Sequence, residues 1–379
     1  MDVCIVTHNV RKGDGQGRVN YEIVAELLHQ GHRVQLVATT VAPEFQDAVR
    51  WWPIPIPPLP TQLLKNQWFA LRSSAVPPLK RNGRTVIHAN GFITWPSVDV
   101  NTVHYVHGAW LRSPYHTCHE RPGPYGWYHW TYSRLNAELE RHSFAQARLV
   151  VAVSDKVREE LVSAAGVPPA KIEVIANGVD TEEFHPGPVD RKALRLPTAG
   201  FLLLFVGNIR TPVKNLGTVL ASLPSVPTAL LAVAGDTEGS PYPAMAQRLG
   251  VADRVRFLGR RDDVPDLMRA ADAFVFPSHY EACSLVLSEA MASGLPVVTA
   301  RSAGMFYRLR DGVDGFVLED AGDVHTLAAR ITWLIDHPDA AARMGRRARA
   351  AAEQLTFRAM AQRYIAVYES LAGSPPRSA

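Results

Sequence analysis

Cysteine is scarce: the 379-residue chain has three, Cys4, Cys118 and Cys283, at spacings that suit neither a metal site nor a redox pair. That usage fits a reducing compartment and predicts a cytoplasmic protein. No Asp-x-Asp triplet occurs, so paired carboxylates for a chelated divalent ion are missing and no metal is expected. His116, His119 and His129 share one stretch but are spaced three and ten apart, which argues against zinc. Long apolar runs are missing too. Phe201–Val206 is one of the longest, far short of the ~20 residues that span a bilayer, so the protein at most lies on a membrane. The opening MDVCIVTHNV lacks the basic start of a leader and reads at once as a strand. A net charge of +4 is too weak to argue for nucleic acid. With 47% hydrophobic and 20% charged residues, disorder, collagen and coiled coil are excluded for the whole chain. At roughly 150 residues per domain the length suggests two domains, large enough to need no disulfides.

What is present alternates. Val3–Thr7 is a short apolar run, Gly13, Gly15 and Gly17 follow, and Val19–Gln30 carries Ile23, Val24, Leu27 and Leu28 before Gly31. With the β-branched run Val34–Ala38 this makes a β-α-β unit and hence a parallel sheet. Prolines from Pro53 to Pro60 exclude a central strand there. Strand-like runs return at Thr85–His88, Thr102–Val106, Leu149–Val153 and Lys171–Ile175. The helix after the third would be capped by Ser154 or Asp155. Residues 177–200 read as a linker. Alternation restarts at Leu202–Val206, Ala229–Ala234, Val255–Leu258, Ala273–Phe276 and Pro296–Thr299; from Asp323 the chain is helical, and Ser370–Ala379 reads as a frayed tail. The pattern used twice predicts an α/β protein of two Rossmann-like, doubly wound parallel-sheet domains, 1–185 and 186–356. Facing each other, these would form a cleft at the carboxyl ends of the strands.

Several segments carry chemistry. Glu281-Ala-Cys-Ser-Leu-Val-Leu-Ser-Glu289 sets two carboxylates eight residues apart on a strand-to-helix turn. Eight helical residues rise ~12 Å and turn a little over twice, so both can face one way. That reach suits a sugar, a diphosphate and a ribose in a row. A helix start at Ser284 and Leu285 offers backbone N–H groups to phosphate. Spacing alone favours two surface glutamates on an ordinary helix; the surrounding pattern reverses that reading. Gly207-Asn-Ile-Arg-Thr-Pro-Val-Lys214 brings two cations, Arg210 and Lys214, of the kind that stabilise charge growing on a leaving diphosphate. Asp14-Gly-Gln-Gly-Arg18 lets backbone approach phosphate or sugar through Gly15 and Gly17, yet lacks the third glycine of a dinucleotide fingerprint. His107 and Gly108 follow a strand-like run; a lone histidine is more often structural. Leu258-Gly-Arg-Arg-Asp-Asp263 sets Arg260 and Arg261 in a loop after a strand.

Together these segments resemble the family 4 glycosyltransferases, retaining enzymes of the GT-B fold, over nearly the whole chain. The resemblance rests on Ala271-Asp-Ala-Phe-Val-Phe-Pro-Ser278, on Glu281 through Glu289, and on Glu289-Ala-Met-Ala-Ser-Gly-Leu-Pro-Val-Val298. Asn177-Gly-Val-Asp180 and Phe205-Val-Gly207 are similar to the family's linker start and first C-domain strand. It implies metal-independent, retaining transfer of a hexose-type sugar from a nucleoside-diphosphate sugar to an acceptor hydroxyl, in cell-surface polysaccharide or glycolipid synthesis. In the implied front-face substitution, a phosphate oxygen of the donor is the base. Glu281 would hold sugar hydroxyls, Glu289 the ribose, Lys214 the diphosphate, His107 the sugar near its reacting carbon, and Arg260 and Arg261 the base. Gly15 and Gly17 would line the cleft opposite the donor. Two departures stand out. Asn208 sits where the family carries an arginine, with Arg210 as the candidate replacement. Ala282, Cys283 and Ser284 replace the usual glycines and aromatic. The final helix, Phe357–Leu371, is implied to cross back, so that 357–379 joins the first domain. An epimerase or phosphorylase of the same fold, or a nucleotide-sugar binder without turnover, remain as alternatives.

Acid is missing altogether between Ala48 and Val98. That stretch holds Arg50, Lys65, Arg72, Lys80, Arg81 and Arg84, together with Trp51, Trp52, Trp68, Phe69, Ile54, Ile56, Leu59, Leu63 and Leu64. Tryptophan beside cations suits an anionic membrane interface. Tyr125-Gly-Trp-Tyr-His-Trp130 could extend that surface or equally be core. The expected partners are a nucleotide-sugar donor, a sugar or lipid-linked acceptor and the inner face of the membrane, with no nucleic acid.

Overall fold

The computed structural model describes residues 1–13, 15–79, 85–304 and 308–372. Asp14, Lys80, Arg81, Arg84 and the tail from 373 lie outside the described residues. The chain forms two compact units, Met1–Gly178 joined by the segment from Phe357, and Val179–Thr356.

In the first unit β1 (Asp2–Val10) leads into α1 (Gly15–His29), β2 (Arg33–Val41), β3 (Arg50–Pro53), α2 (Gln62–Ser74), β4 (Thr85–Asn90) and β5 (Val100–Val103). Then come α3 (His107–Trp110), α4 (Thr117–Glu120), α5 (Pro124–Gln146), β6 (Leu149–Ala152), α6 (Asp155–Ala165) and β7 (Ile172–Val174). The strands form one parallel sheet in the order β3-β2-β1-β4-β5-β6-β7. Central strands of such a sheet are covered on both faces, which is why Val3, Cys4, Ile5 and Val6 are all fully buried. Burial pushes the Cys4 thiol up to about 12 and makes it inert. Pro53 closes β3 at the sheet edge, where a missing N–H costs no ladder bond. Ser154 caps α6, its hydroxyl accepting from Val157 N at 3.2 Å. β5 begins and ends earlier than the run Thr102–Val106 suggests. Asp99 starts the pairing, its N–H donating to Ile87 O and its carboxylate accepting from Ile87 N at 2.9 Å. Val106 is left to flank α3.

The second unit opens with irregular chain. It then runs β8 (Phe201–Val206), α7 (Leu216–Ser222), β9 (Ala229–Ala234), α8 (Tyr242–Arg248), β10 (Val255–Gly259), α9 (Val264–Ala270) and β11 (Ala273–Phe276). It continues with α10 (Leu285–Ala292), β12 (Val297–Ala300), β13 (Phe316–Leu318), α11 (Val324–Asp336) and α12 (Pro338–Ala352). Its parallel sheet has the order β10-β9-β8-β11-β12-β13. α12 packs its backbone on the turn after α10: a Cβ on Gly345 would lie 2.0 Å from Gly294 O.

The last helix, α13 (Phe357–Ala372), returns to the first unit. Its Tyr364 and Tyr368 are fully buried with His88 of β4. The Thr102 hydroxyl donates to Tyr364 Oη at 3.2 Å. Its oxygen therefore accepts from His88 Nε2 at 2.8 Å, while Nδ1 of the same ring accepts from Tyr368 Oη at 2.8 Å. The ring is neutral, and burial, with His104 nearby, pushes its pKa down to about 3. An unfolded histidine takes its proton near pH 6.5, so the unfolded state gains a proton below that pH that the folded state refuses. The His88 contribution is complete above pH 6.5. It falls by about 1.4 kcal/mol per pH unit toward pH 3. Thermal melts from pH 7.5 to 5 should show a loss of stability that His88→Gln flattens; parallel curves for both proteins would dismiss His88 as its source.

Candidate active site

Three strand ends of the second unit are crowded, and glycine makes the crowding possible. Gly207 N donates to Ala234 O at 3.0 Å and Gly235 N to Gly259 O at 2.9 Å. A Cβ on Gly235 would lie 2.3 Å from Gly207 O, so any side chain there would expel the loop that follows β8.

That loop carries Lys214. Pro212–Lys214 form one tight turn, and Asn215 after it takes φ 60°, ψ 40°, a left-handed conformation that asparagine tolerates better than most residues. The Asn215 side chain is buried. Its Nδ2 donates to Pro277 O at 2.9 Å and to Ala321 O at 2.7 Å. Its Oδ1 caps α7 by accepting from Thr218 N and from Thr218 Oγ1 at 2.8 Å. His279 N and Ser278 Oγ both donate to Val213 O, at 2.9 and 3.0 Å. The loops after β8 and β11 are thereby locked together. Lys214 Nζ lies directly against the Glu281 carboxylate, and the two side chains are only 25% and 16% exposed. The Phe276 ring sits 6.0 Å from the same ammonium.

Glu281 does not lie on the helix. α10 starts at Leu285 with Ser284 in the cap position, so the helical rise expected between Glu281 and Glu289 does not apply. Two contacts hold 281–284 off the helix. Glu281 N donates to Ser302 O at 3.3 Å, and the Gly304 backbone comes so close that a Cβ there would lie 1.8 Å from Ala282 O. Ser284 is buried, its hydroxyl has no hydrogen-bond partner among the described residues, and it makes no cap bond. A helix N-terminus whose cap side chain leaves the first-turn N–H groups alone is suited to an anion. Leu285 opens this helix, and Glu289 follows one turn on, half-buried.

Two of the other cations, Arg210 and Arg261, are engaged elsewhere. Arg210 Nη2 pairs with Asp236 at 2.6 Å and reaches Glu238 at 3.8 Å, while its Nε donates to Glu238 O at 2.9 Å. Asn208 Oδ1 accepts from Arg210 N at 2.9 Å. Arg210 is thus tied to the loop after β9 rather than set beside Lys214. Arg261 grips Asp263, Nε to Oδ1 at 2.6 Å, and that hydrogen bond raises the guanidinium pKa and lowers the carboxyl's. Arg260 is exposed.

In the first unit, strand order reverses between β1 and β4, where doubly wound sheets bind ligands. Asn20 of α1 spans that point: Nδ2 donates to Thr7 Oγ1 at 2.8 Å, and Oδ1 accepts from Asn90 Nδ2 at 3.1 Å. A cavity of about 170 Å³ opens there, lined among others by His8, Gln16, Asn90, His104, His107 and Glu140. Gln16 comes from between Gly15 and Gly17, which lie in the first turn of α1 and not in a loop ahead of it, so the start of α1 and His107 share one cavity. His107 opens α3, with its backbone N donating to Glu140 Oε2 at 3.0 Å and its Nδ1 set 2.6 Å from Oε1. Sequence reasoning missed Glu140, Asn215 and Gly304. His116 is structural, bonded to Ser133 at 3.0 Å and to Cys118 N at 3.2 Å.

The model of the glycosyl transferases group 1 matches residues 188–351, and that of Glycosyltransferase Family 4 matches 13–183. The two matches run nearly end to end across both sheets. The chain belongs to glycosyltransferase family 4. A D-inositol 3-phosphate glycosyltransferase from Mycobacterium sp. (strain KMS) is 35% identical over 206 residues, 51% of this chain and 47% of that protein. The chain spans about half the length of the curated relatives it matches. Sucrose-phosphate synthase from Thermosynechococcus elongatus superposes with a TM-score of 0.79 at 20% identity, over 98% of each chain. Anabaena Alr3699/HepE, solved with UDP and glucose, gives 0.72 at 21% identity over 98% of this chain and 100% of its own. The fold of the chain is GT-B, with two Rossmann-like parallel-sheet domains.

Proposed function

We propose that the chain is a retaining, metal-independent transferase moving a hexose-type sugar from a nucleoside-diphosphate sugar to an acceptor hydroxyl. The pairing of Lys214 with Glu281, next to the N-terminus of α10, carries this reading. As the bond from sugar carbon to phosphate oxygen breaks, negative charge grows on the diphosphate. Lys214 and the first-turn N–H groups of α10 stand ready for that charge. The acceptor oxygen bonds the same face of the sugar carbon, and its proton passes to the departing phosphate oxygen. Glu281 then orients sugar hydroxyls rather than attacking, and Glu289 takes the ribose. A UDP-sugar is the first donor to test, because the Anabaena neighbour is solved with UDP-glucose. The experiment is a thermal-shift screen of UDP-, GDP- and ADP-sugars, followed by labelled transfer with and without EDTA and the product's anomeric configuration by NMR. A bound donor raises stability by mass action. Retained configuration and EDTA-resistant transfer are expected. Binding without transfer would leave a nucleotide-sugar binder, and EDTA-sensitive transfer would overturn metal independence.

The acceptor in this proposal is a sugar or lipid-linked molecule of cell-surface polysaccharide or glycolipid synthesis, met at the cytoplasmic face of the membrane. Support comes from α2 and α5. Leu64, Trp68 and Leu71, spaced as one helical stripe, are exposed on α2, Leu71 by 62%. Trp127 and Trp130 are exposed on α5, Trp127 by 70%. Asn66 Nδ2 joins the two helices by donating to Tyr132 Oη at 3.0 Å. Arg72 lies 5.9 Å from the Trp68 ring. Phe69 and Ile54 are buried, so they drop out of the lipid-facing set. No helix among the described residues is long and apolar enough to cross a membrane. Each cation near an anionic surface adds about 1 kcal/mol. Co-sedimentation should occur with anionic but not neutral vesicles and weaken at high salt. Equal, negligible sedimentation with both would make this face an ordinary wall.

A further inference from the structure

Resting on the transferase reading above, we infer that Glu140 is a positioning residue that fixes the tautomer and direction of the His107 ring, leaving Nε2 to accept from a sugar hydroxyl in the cavity of the first unit. Glu140 reaches His107 from α5, across thirty-three residues of chain. Its carboxylate is only 6% exposed, an expensive place for a charge unless it is well bonded.

Both oxygens are spent on one residue. Oε2 accepts from the His107 backbone N at 3.0 Å, an orphan donor at the start of α3 that any acceptor could have served. Oε1 takes Nδ1 of the ring at 2.6 Å, and that second bond turns the imidazole. With Nδ1–H donating to a carboxylate, the neutral ring has Nε2 as its acceptor.

Two aromatics restrict the ring further. Tyr105 and Tyr132 stand edge-on at centroid distances of 5.0 and 5.6 Å. The titratable groups near His107 include Tyr105, Tyr132, Glu140 and His116, with His8 and His104 around the cavity. Asn66, Asn90 and Asn136 supply neutral donors and acceptors to the same wall, and Glu140 is the one carboxylate among the lining residues. A neutral polyhydroxyl fits such a wall, with one hydroxyl donating to Nε2.

The test combines spectroscopy with kinetics. In ¹⁵N-histidine-labelled wild-type protein, NMR should show His107 with Nδ1 protonated and Nε2 bare. Glu140→Gln, which removes the charge at constant shape, should give a mixture of tautomers. It should lower kcat about tenfold or more with donor KM held within about threefold. Combined with His107→Ala, it should add less than about twofold to the loss from His107→Ala alone. An unchanged tautomer, or losses that multiply, would overturn the inference. Should Glu140→Gln fail to fold, Glu140→Asp takes its place. It keeps the charge but is too short to bridge ring and backbone, so the same tautomer change is expected. If no donor supports transfer, the transferase reading fails, while the tautomer measurement still decides whether Glu140 sets His107.

Discussion

Glu281→Gln should reduce sugar transfer about a thousandfold, the scale seen when a preorganised charged contact to the reacting centre is lost. The amide keeps the shape of the side chain and the backbone bond from Glu281 N to Ser302 O, so the fold should persist and melting should barely move. Glutamine removes the charge that faces Lys214. The ammonium, mostly shielded from solvent, is then left for the diphosphate alone. The variant should therefore bind UDP at least as tightly as wild type while failing to turn over the sugar nucleotide. Titration calorimetry with UDP and single-turnover assays with labelled donor separate the two effects. Turnover within tenfold of wild type would remove Glu281 from the reaction. Weaker UDP binding would remove the proposed competition for Lys214.

Gly304→Ala should also be damaging, though it touches no substrate. The added methyl would lie 1.8 Å from Ala282 O and 3.1 Å from Glu281 O. Both obstacles are backbone, so the loop itself must move. Movement carries Glu281 away from Lys214. Misplacement of about 1 Å costs on the order of a hundredfold in rate, and overpacking of this kind costs about 1–3 kcal/mol of stability. Gly312→Ala is the control. Gly312 has φ 71° and nothing within 4 Å of its added Cβ, so it should lose stability through backbone conformation alone, by about 1 kcal/mol, and keep its transfer rate. Activity assays and melts on both proteins decide the matter. A fully active Gly304→Ala protein would show that the loop carrying Glu281 is not held by this contact.

Much of the architecture could be read from local pattern, because a parallel sheet imposes apolar strands and periodic helices between them. Val3–Thr7, Ala229–Ala234 and Ala273–Phe276 all fall inside strands. α5 escaped notice for a physical reason. Its buried side includes Gly126, Ser133, Asn136 and Glu140, which carry no hydrophobic period. α2 buries only Phe69, Ala70 and Ser73, and its apolar stripe faces outward. At the site, the glutamates and Lys214 were visible as motif residues, but their arrangement was not. Glu281 meets Lys214 across sixty-seven residues of chain. Arg210 finds Asp236 on a different strand end, and spacing within Gly207–Lys214 carries no trace of that acid. The helical spacing drawn for Glu281 and Glu289 failed because Gly304, far along the chain, holds the intervening residues in a loop.

The return of α13 to the first unit has a consequence for synthesis. The sheet of the first unit cannot be fully covered as the ribosome delivers it, because the tyrosines that cover His88 are made only after the whole of Val179–Thr356. The second unit, contiguous in sequence, can close first although it is translated later. Until then the first sheet waits with one flank bare, and His88 remains open to water and protons. A nascent chain stalled before Phe357 would hold a complete second unit and an unfinished first one. For this topology, a chaperone has most to protect in the N-terminal half.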